Sequence, residues 1–150
     1  MSDIELFLSD LMGDFEKQIS PIENSNTYSF NYVKPLFNYP TIQMVIKSPL
    51  VYDKYIDRYI LAENSFFLFF LYDLETDMII GELEEIYFDE NWQDELYFSI
   101  CDAENRVQKY ICPECEFWLV QRTNMYGHKF LGCCGYPECN FSSEIKELEN

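Results

Sequence analysis

A chain of 150 residues with 48% hydrophobic and 18% aromatic side chains has enough apolar surface to bury a core, which excludes wholesale disorder and fits one main domain with a small appendage. Its formal net charge of −17 excludes most of the molecule as a surface for phosphate or anionic lipid. The start, MSDIELFLSD, has no basic n-region or small-residue cleavage site, and the longest wholly apolar-aromatic run, Phe66 to Tyr72, is far shorter than the roughly 18 residues of a membrane span. A soluble, cytoplasmic protein is expected.

Ile4, Phe7, Leu8, Leu11, Met12, Phe15 and Ile19 recur at three- and four-residue steps, so the spacing predicts an amphipathic helix over Asp3 to Ile19 that ends at Ser20-Pro21. The alternation Tyr28, Phe30, Tyr32 predicts a strand, and Ile42, Met44, Ile46 a second beyond Pro35 and Pro40. After Pro49, Val51, Tyr55, Tyr59 and Tyr52, Ile56, Ile60 fit a second helix. A meander follows, with strands over Phe66 to Tyr72, Met78 to Phe88, Leu96 to Cys101 and Arg106 to Ile111, separated by DLETD, DENWQDE and DAEN. These elements imply an α+β fold: residues 1–110 as an acidic, aromatic-rich domain with a mainly antiparallel sheet and two helices, a small cysteine-rich ribbon over residues 111–142, and an acidic tail over 143–150. No Gly/Pro/Ser-rich spacer separates ribbon from sheet, so the two are expected to share an interface.

The ribbon assignment rests on cysteine spacing. A Cys-x2-Cys pair, Cys112 and Cys115, is followed after seventeen residues by Cys133 and, further on, Cys139. A divalent zinc ion favours four thiolates in a tetrahedron at about 2.3 Å, and two cysteine pairs on adjacent turns supply them. In a reducing compartment six cysteines point to coordination rather than a disulfide framework. Apparent zinc-binding free energies of about 10 to 16 kcal/mol are folding free energies, so some thirty residues without a large core can be ordered around one structural ion.

Cys112-Pro113-Glu114-Cys115, then Tyr126-Gly127-His128-Lys129-Phe130-Leu131-Gly132-Cys133, then Tyr136-Pro137-Glu138-Cys139 resembles the C-terminal four-cysteine ribbons of bacterial type IA DNA topoisomerases. Those have a Cys-Pro-x-Cys knuckle, a hairpin with a basic or aromatic tip, and a Gly-Cys-x5-Cys turn containing Tyr-Pro. The resemblance covers about thirty residues. Glu116 stands where the family usually has glycine and Cys134 where it often has serine, and Cys134 offers a competing thiolate; register with the Gly-Cys and Tyr-Pro features favours Cys133. Cys101, on an expected strand, reads as a small buried apolar residue.

The resemblance implies contact with single-stranded nucleic acid through stacked aromatics and supporting cations. The candidates are Trp118, Arg122, Tyr126, Lys129, Phe130 and Tyr136, with Phe117, Phe141 and His128 nearby. Simpler roles stand beside these: Phe130 and Tyr136 as cover for the metal, Trp118 packed on the acidic domain, His128 as an exposed hairpin residue.

Residues 1–111 carry 21 acidic and 7 basic side chains, and between Arg58 and Arg106 there are thirteen carboxylates and no Lys, Arg or His. The simplest reading is a solvated face that keeps an aromatic sheet soluble. A one-signed folded segment also raises self-repulsion, so a functional field that docks a basic protein partner is plausible, with Asp73, Glu75, Asp77, Glu82, Glu84, Glu85, Asp89 and Glu90 as candidates. Asp73, Glu75, Asp77, Asp102 and Glu104 are expected at one sheet end, and Asp89, Glu90, Asp94 and Glu95 at the other. Glu82 and Glu84 fall on one strand face about 6.6 to 6.8 Å apart, roughly two phosphate steps of a DNA strand, which suggests the alternative of an acidic DNA mimic or inhibitor. Neither a phosphate-binding glycine loop nor a Gly-x-Ser-x-Gly elbow occurs, and there is a single histidine, so no catalytic residue is assigned and a non-enzymatic accessory protein is expected.

Overall fold

The computed structural model describes residues 13–61 and 66–145. Among the described residues nine strands and one helix are formed: β1 (Glu16–Pro21), β2 (Thr27–Pro35), β3 (Ile42–Asp53), β4 (Arg58–Leu61), β5 (Phe66–Asp73), β6 (Met78–Tyr87), α1 (Trp92–Gln108), β7 (Leu119–Thr123), β8 (Lys129–Cys133) and β9 (Ser142–Glu144). Every neighbouring pair is antiparallel, in the order β1-β2-β3-β5-β6-β7-β8-β9, with β4 beside the second half of β3. Among the described residues no helix is long and apolar enough to cross a membrane.

The alternation in β2, β3, β5 and β6 puts one set of side chains under the helix. Ile42, Met44, Ile46, Phe67, Phe69, Leu71, Ile80 and Ile86 meet Leu96, Ala103 and Val107 of α1 in one buried cluster. Phe67, Phe88 and Trp92 stack in series, with ring centroids 4.9 to 6.0 Å apart. Across the same interface Glu84 accepts hydrogen bonds from Ser99 (2.6 Å) and Arg106 (2.7 Å), and Arg106 lies over the Phe69 ring. A half-buried charge thus has both a counter-charge and a hydroxyl.

Four expected elements differ. The part of the N-terminal helix that falls on described residues is strand β1, paired with β2 from Glu16↔Val33 to Pro21↔Tyr28; the remainder, residues 3–12, lies outside the described residues. Only Phe15 and Ile19 supported helix there, and pairing with β2 satisfies the backbone at an edge where Pro21 is tolerated.

Val51 to Ile60 is the β3–β4 hairpin, not a second helix, with Val51↔Ile60 and Tyr52↔Tyr59 paired. Asp53 accepts the N–H groups of Tyr55 and Ile56 and turns the chain, and the Tyr52 and Tyr59 rings meet edge-on. Finally, the strand expected at Leu96 to Cys101 and the first half of that expected at Arg106 to Ile111 are replaced by α1, which ends at Gln108, and Ile111 beyond it makes a single antiparallel bridge. Its buried residues Trp92, Leu96, Ser99, Ala103 and Val107 recur at helical spacing, and the acidic segment read as a turn supplies Asp94 and Glu95 to the helix N-terminal turn. One helix, not two, is present among the described residues, and Cys101 is exposed on it rather than buried in a strand.

The sheet runs without a break into the cysteine-bearing hairpin. Val120 of β7 pairs with Ile80 of β6, Leu119 donates its N–H to Tyr110 O (2.7 Å), and Ile111 bridges Trp118. Gly81 sits at φ +68, and the Tyr110 ring occupies the space a Cβ would take. This closure fixes the end of α1 against β6 and sets the first cysteine pair beyond the sheet edge.

Candidate metal centre and nucleic-acid interface

The four sulfurs come from two tight turns. In the first, Cys112 donates its N–H to Phe117 O (2.6 Å) and accepts that of Glu116 (2.9 Å), so the loop of Cys112 and Cys115 closes on itself. Glu116 adopts φ +66, the left-handed conformation that glycine takes without strain. The second turn leaves β8: Gly135 N–H points to Cys133 Sγ (3.3 Å), Cys139 N–H bonds Gly135 O (3.2 Å), and the Tyr136–Pro137 peptide is cis.

Cys112, Cys115, Cys133 and Cys139 bring their Sγ atoms within 4.8 Å of one another. The Cys112–Cys139 separation is 3.8 Å and Cys115–Cys133 is 3.1 Å. A tetrahedron with metal–sulfur bonds of about 2.3 Å has sulfur–sulfur edges of about 3.8 Å, so the arrangement fits one zinc ion and has no room for a water ligand. Cys134 is not in the cluster; its side chain packs on the main core and its N–H bonds Trp118 O (2.9 Å). The register with Cys133 therefore holds.

Leu119, Leu131, Phe141 and Ile145 supply the apolar cover around these sulfurs. Cys112 is pushed up by burial but brought down to about 7 by the N–H groups of Glu114 and Cys115 and by the neighbouring thiols. Cys115 is raised by its bond to Cys133, and Cys133 by burial. At Cys139 the Phe141 N–H lowers the thiol, yet burial and the Cys115 and Cys112 thiols leave it raised. Cys112 is thus the thiol that ionises most readily near neutrality, and binding of the ion as thiolates displaces protons from the others.

A family model described as topoisomerase DNA binding C4 zinc finger matches residues 109–147. DNA topoisomerase 1 of Methanothermobacter thermautotrophicus is 43% identical over 37 residues, a match covering 25% of this chain and 5% of that protein. The C-terminal segment is a topoisomerase-type zinc ribbon. Its four cysteines hold one structural zinc ion, and the ribbon is nucleic-acid-associated in type. The chain spans only a small fraction of the topoisomerase it matches, and no solved structure matches it.

On this ribbon the expected nucleic-acid residues separate into groups. Tyr126, 78% exposed, sits at the β7–β8 turn, which Asn124 shapes by accepting the N–H groups of Tyr126 and His128. Exposed Lys129 opens β8, and His128 is an exposed turn residue. On the flank, Arg122 places its guanidinium 5.7 Å from the ring centroid of Tyr136, itself 64% exposed. Arg122 Nη2 donates to Cys133 O (3.1 Å), while its Nε is buried with no hydrogen-bond partner among the described residues.

Arg122, half-buried Phe130, Tyr136, Asn140, Phe141 and Ser142 line a cleft of about 280 Å³. Trp118 is elsewhere: it is half-buried, packs on the main core, and meets Tyr39 edge-on at 5.6 Å. Sequence reasoning missed Met125, exposed at the tip, and Asn140 and Ser142 in the cleft. Asn124 and Gly127 signalled the turn that exposes Met125, whereas nothing in residue type marked Asn140 or Ser142.

The acidic candidates also separate. Asp73 is 1% exposed, and its carboxylate caps the β5–β6 turn by accepting from Glu75 N–H and the Thr76 hydroxyl. Glu84 is held by Ser99 and Arg106, and half-buried Glu82 lies beside the Tyr110 hydroxyl (3.5 Å). Glu85 accepts from Tyr87 and Asp89 from Asn91 N–H. Glu75, Asp77, Glu85, Asp89 and Glu90 are exposed, the first two at the turn after β5 and the last two ahead of α1. Asp102 and Glu104 belong to α1 rather than to a turn between strands, and Glu104 accepts Asn38 N–H (2.7 Å).

Proposed function

We propose that this is a cytoplasmic, non-enzymatic accessory protein whose ribbon contacts single-stranded nucleic acid and whose acidic sheet-and-helix region docks a basic protein. The observation that carries the first half is the Tyr136 ring, solvent-facing and set against the Arg122 guanidinium at the cleft of a zinc-set hairpin whose turn also exposes Tyr126 and Lys129. Stacking of a base on an aromatic ring contributes about 1 to 3 kcal/mol and tolerates any sequence. The exposed carboxylates repel the phosphate backbone, so binding is confined to the nearly neutral ribbon, where residues 112–141 carry three acidic and two basic side chains. Glu82 and Glu84, whose spacing suggested a DNA mimic, are half-buried against α1 and Tyr110, which favours docking of a basic protein over mimicry.

Fluorescence anisotropy with a labelled single-stranded oligonucleotide tests the ribbon. Binding is expected at low salt, weakening as salt rises, with Tyr126→Ala and Tyr136→Ala each losing about fivefold to a hundredfold in affinity. Absence of binding at every salt concentration, with zinc bound, would remove the nucleic-acid half.

A further inference from the structure

Helix α1 buries one face and exposes two aromatic side chains on the other. Trp92, Leu96, Ser99, Ala103 and Val107 face the sheet. On the opposite side Asp94, Tyr97, Phe98, Cys101 and Asn105 follow one another at steps of three, one, three and four residues, which aligns them along a single exposed ridge. Phe98 is 65% and Tyr97 56% exposed, and exposed Cys101 follows Tyr97 one turn on. Single exposed hydrophobics are ordinary, but two adjacent aromatics with a thiol at the centre of an outer helix face form a patch of the kind that marks association.

The rim chooses the partner. From Asp89 to Asn105 there are six carboxylates and no basic side chain, and the next cation, Arg106, is taken by Glu84. Such a rim opposes a second copy of the same surface, a phosphate backbone or an anionic bilayer, because each brings like charge. It complements a segment that carries lysine or arginine around an apolar anchor.

Resting on the basic-partner reading above, we propose that the outer face of α1, centred on Tyr97 and Phe98, is where that partner docks, with Asp94, Glu95 and Asp102 steering and orienting a cationic amphipathic segment. The docking site thereby moves from the strand and turn carboxylates to the helix. Aromatic anchors in a desolvated centre carry most of the affinity at such surfaces, and the surrounding charges set the on-rate and salt dependence.

The test uses the full zinc-loaded chain and two synthetic probes of equal charge, an amphipathic lysine–leucine peptide and a lysine–serine peptide, followed by anisotropy at moderate salt. The lysine–leucine peptide should bind more tightly, and Phe98→Ser, at a position the fold does not bury, should weaken it about tenfold or more while leaving circular dichroism and zinc content unchanged. The Glu75→Gln/Asp77→Asn pair, at the turn after β5, should change it little. Equal weakening by that pair, no effect of Phe98→Ser, or a dimer in sedimentation that Phe98→Ser abolishes would each overturn the helix-face assignment while leaving open a basic partner elsewhere. If neither peptide binds even at low salt, the basic-partner reading falls, and this inference with it.

Discussion

The ribbon and the sheet-and-helix region are stabilised in opposite ways. Within the ribbon the buried cluster is Cys112, Leu119, Leu131 and Cys133, too little apolar surface to order some thirty residues, so the ion supplies what the core lacks. Among the described residues the sheet region has fourteen buried residues in one cluster, including Phe67, Phe69 and Trp92 and joined by Val120 of β7, and needs no ion. The contrast shows where each kind of change will be felt: ligand chemistry at one end, packing and backbone geometry at the other, with Gly81, Tyr110 and the Ile80↔Val120 pair joining them.

Removing the metal is the largest expected perturbation. Chelation, or Cys112→Ser, should dissolve the ribbon and leave the Phe67–Phe88–Trp92 stack intact, as read by loss of amide dispersion for residues 112–144 beside retained signals from β5 and β6. Structural zinc in finger peptides is worth about 10 to 16 kcal/mol, so no partial effect is expected. Simultaneous loss of both regions would show that the sheet extension through β7 makes them one cooperative unit.

Acidification should act on the ribbon in the same direction. With Cys112 at about 7 and the other three thiols raised above their ordinary value, zinc displaces about three protons near pH 8 and about four below 7. Protons compete with the ion, so apparent affinity falls about a thousandfold per pH unit on descending from 8 and more steeply below 7. Competition with a chromophoric chelator across pH measures this slope. A flat profile would mean that the thiols are already ionised without metal.

The joint between the two regions comes next. Gly81→Ala places a Cβ inside the Tyr110 ring at a positive φ, combining a left-handed backbone penalty of about 1 to 2 kcal/mol with overpacking of about 1 to 3 kcal/mol. Denaturant unfolding should show a loss of roughly 2 to 5 kcal/mol. Measured in a Tyr110→Ala background, the same glycine substitution should cost less than in the parent chain, since the ring is gone and only the dihedral cost remains.

These regions also differ in how legible they were. Cysteine spacing specifies a tetrahedron almost directly, because four sulfurs at that separation have few other uses, and Gly-Cys with Tyr-Pro set the register. The β5–β6 hairpin was readable from its alternation and the DLETD turn. Helix α1 was not: Leu96-Tyr97-Phe98-Ser99-Ile100-Cys101 is aromatic and β-branched enough to suit a strand, and only packing on Phe69 and the Glu84–Arg106 bond decides for helix. At Val51 to Ile60 residues fit both a period of two and one near 3.6, and the turn made by Asp53 broke the tie. The inward use of Asp73, Glu82 and Glu84 depends on long-range pairing that composition does not encode.

The smallest effect expected is at Glu116, where the ribbon departs from its family. Its φ of +66 is one that a Cβ disfavours, so Glu116→Gly should relieve strain, offset partly by the greater freedom of glycine in the unfolded chain, for a net gain of about 0.5 to 1 kcal/mol. The same substitution removes a carboxylate close to the thiolates, and Glu116→Gln and Glu116→Ala separate the two causes. If backbone strain governs, only the glycine variant binds zinc more tightly in chelator competition, by about two- to fivefold. If charge governs, all three improve together, and the left-handed turn after Cys115 costs the ribbon nothing measurable.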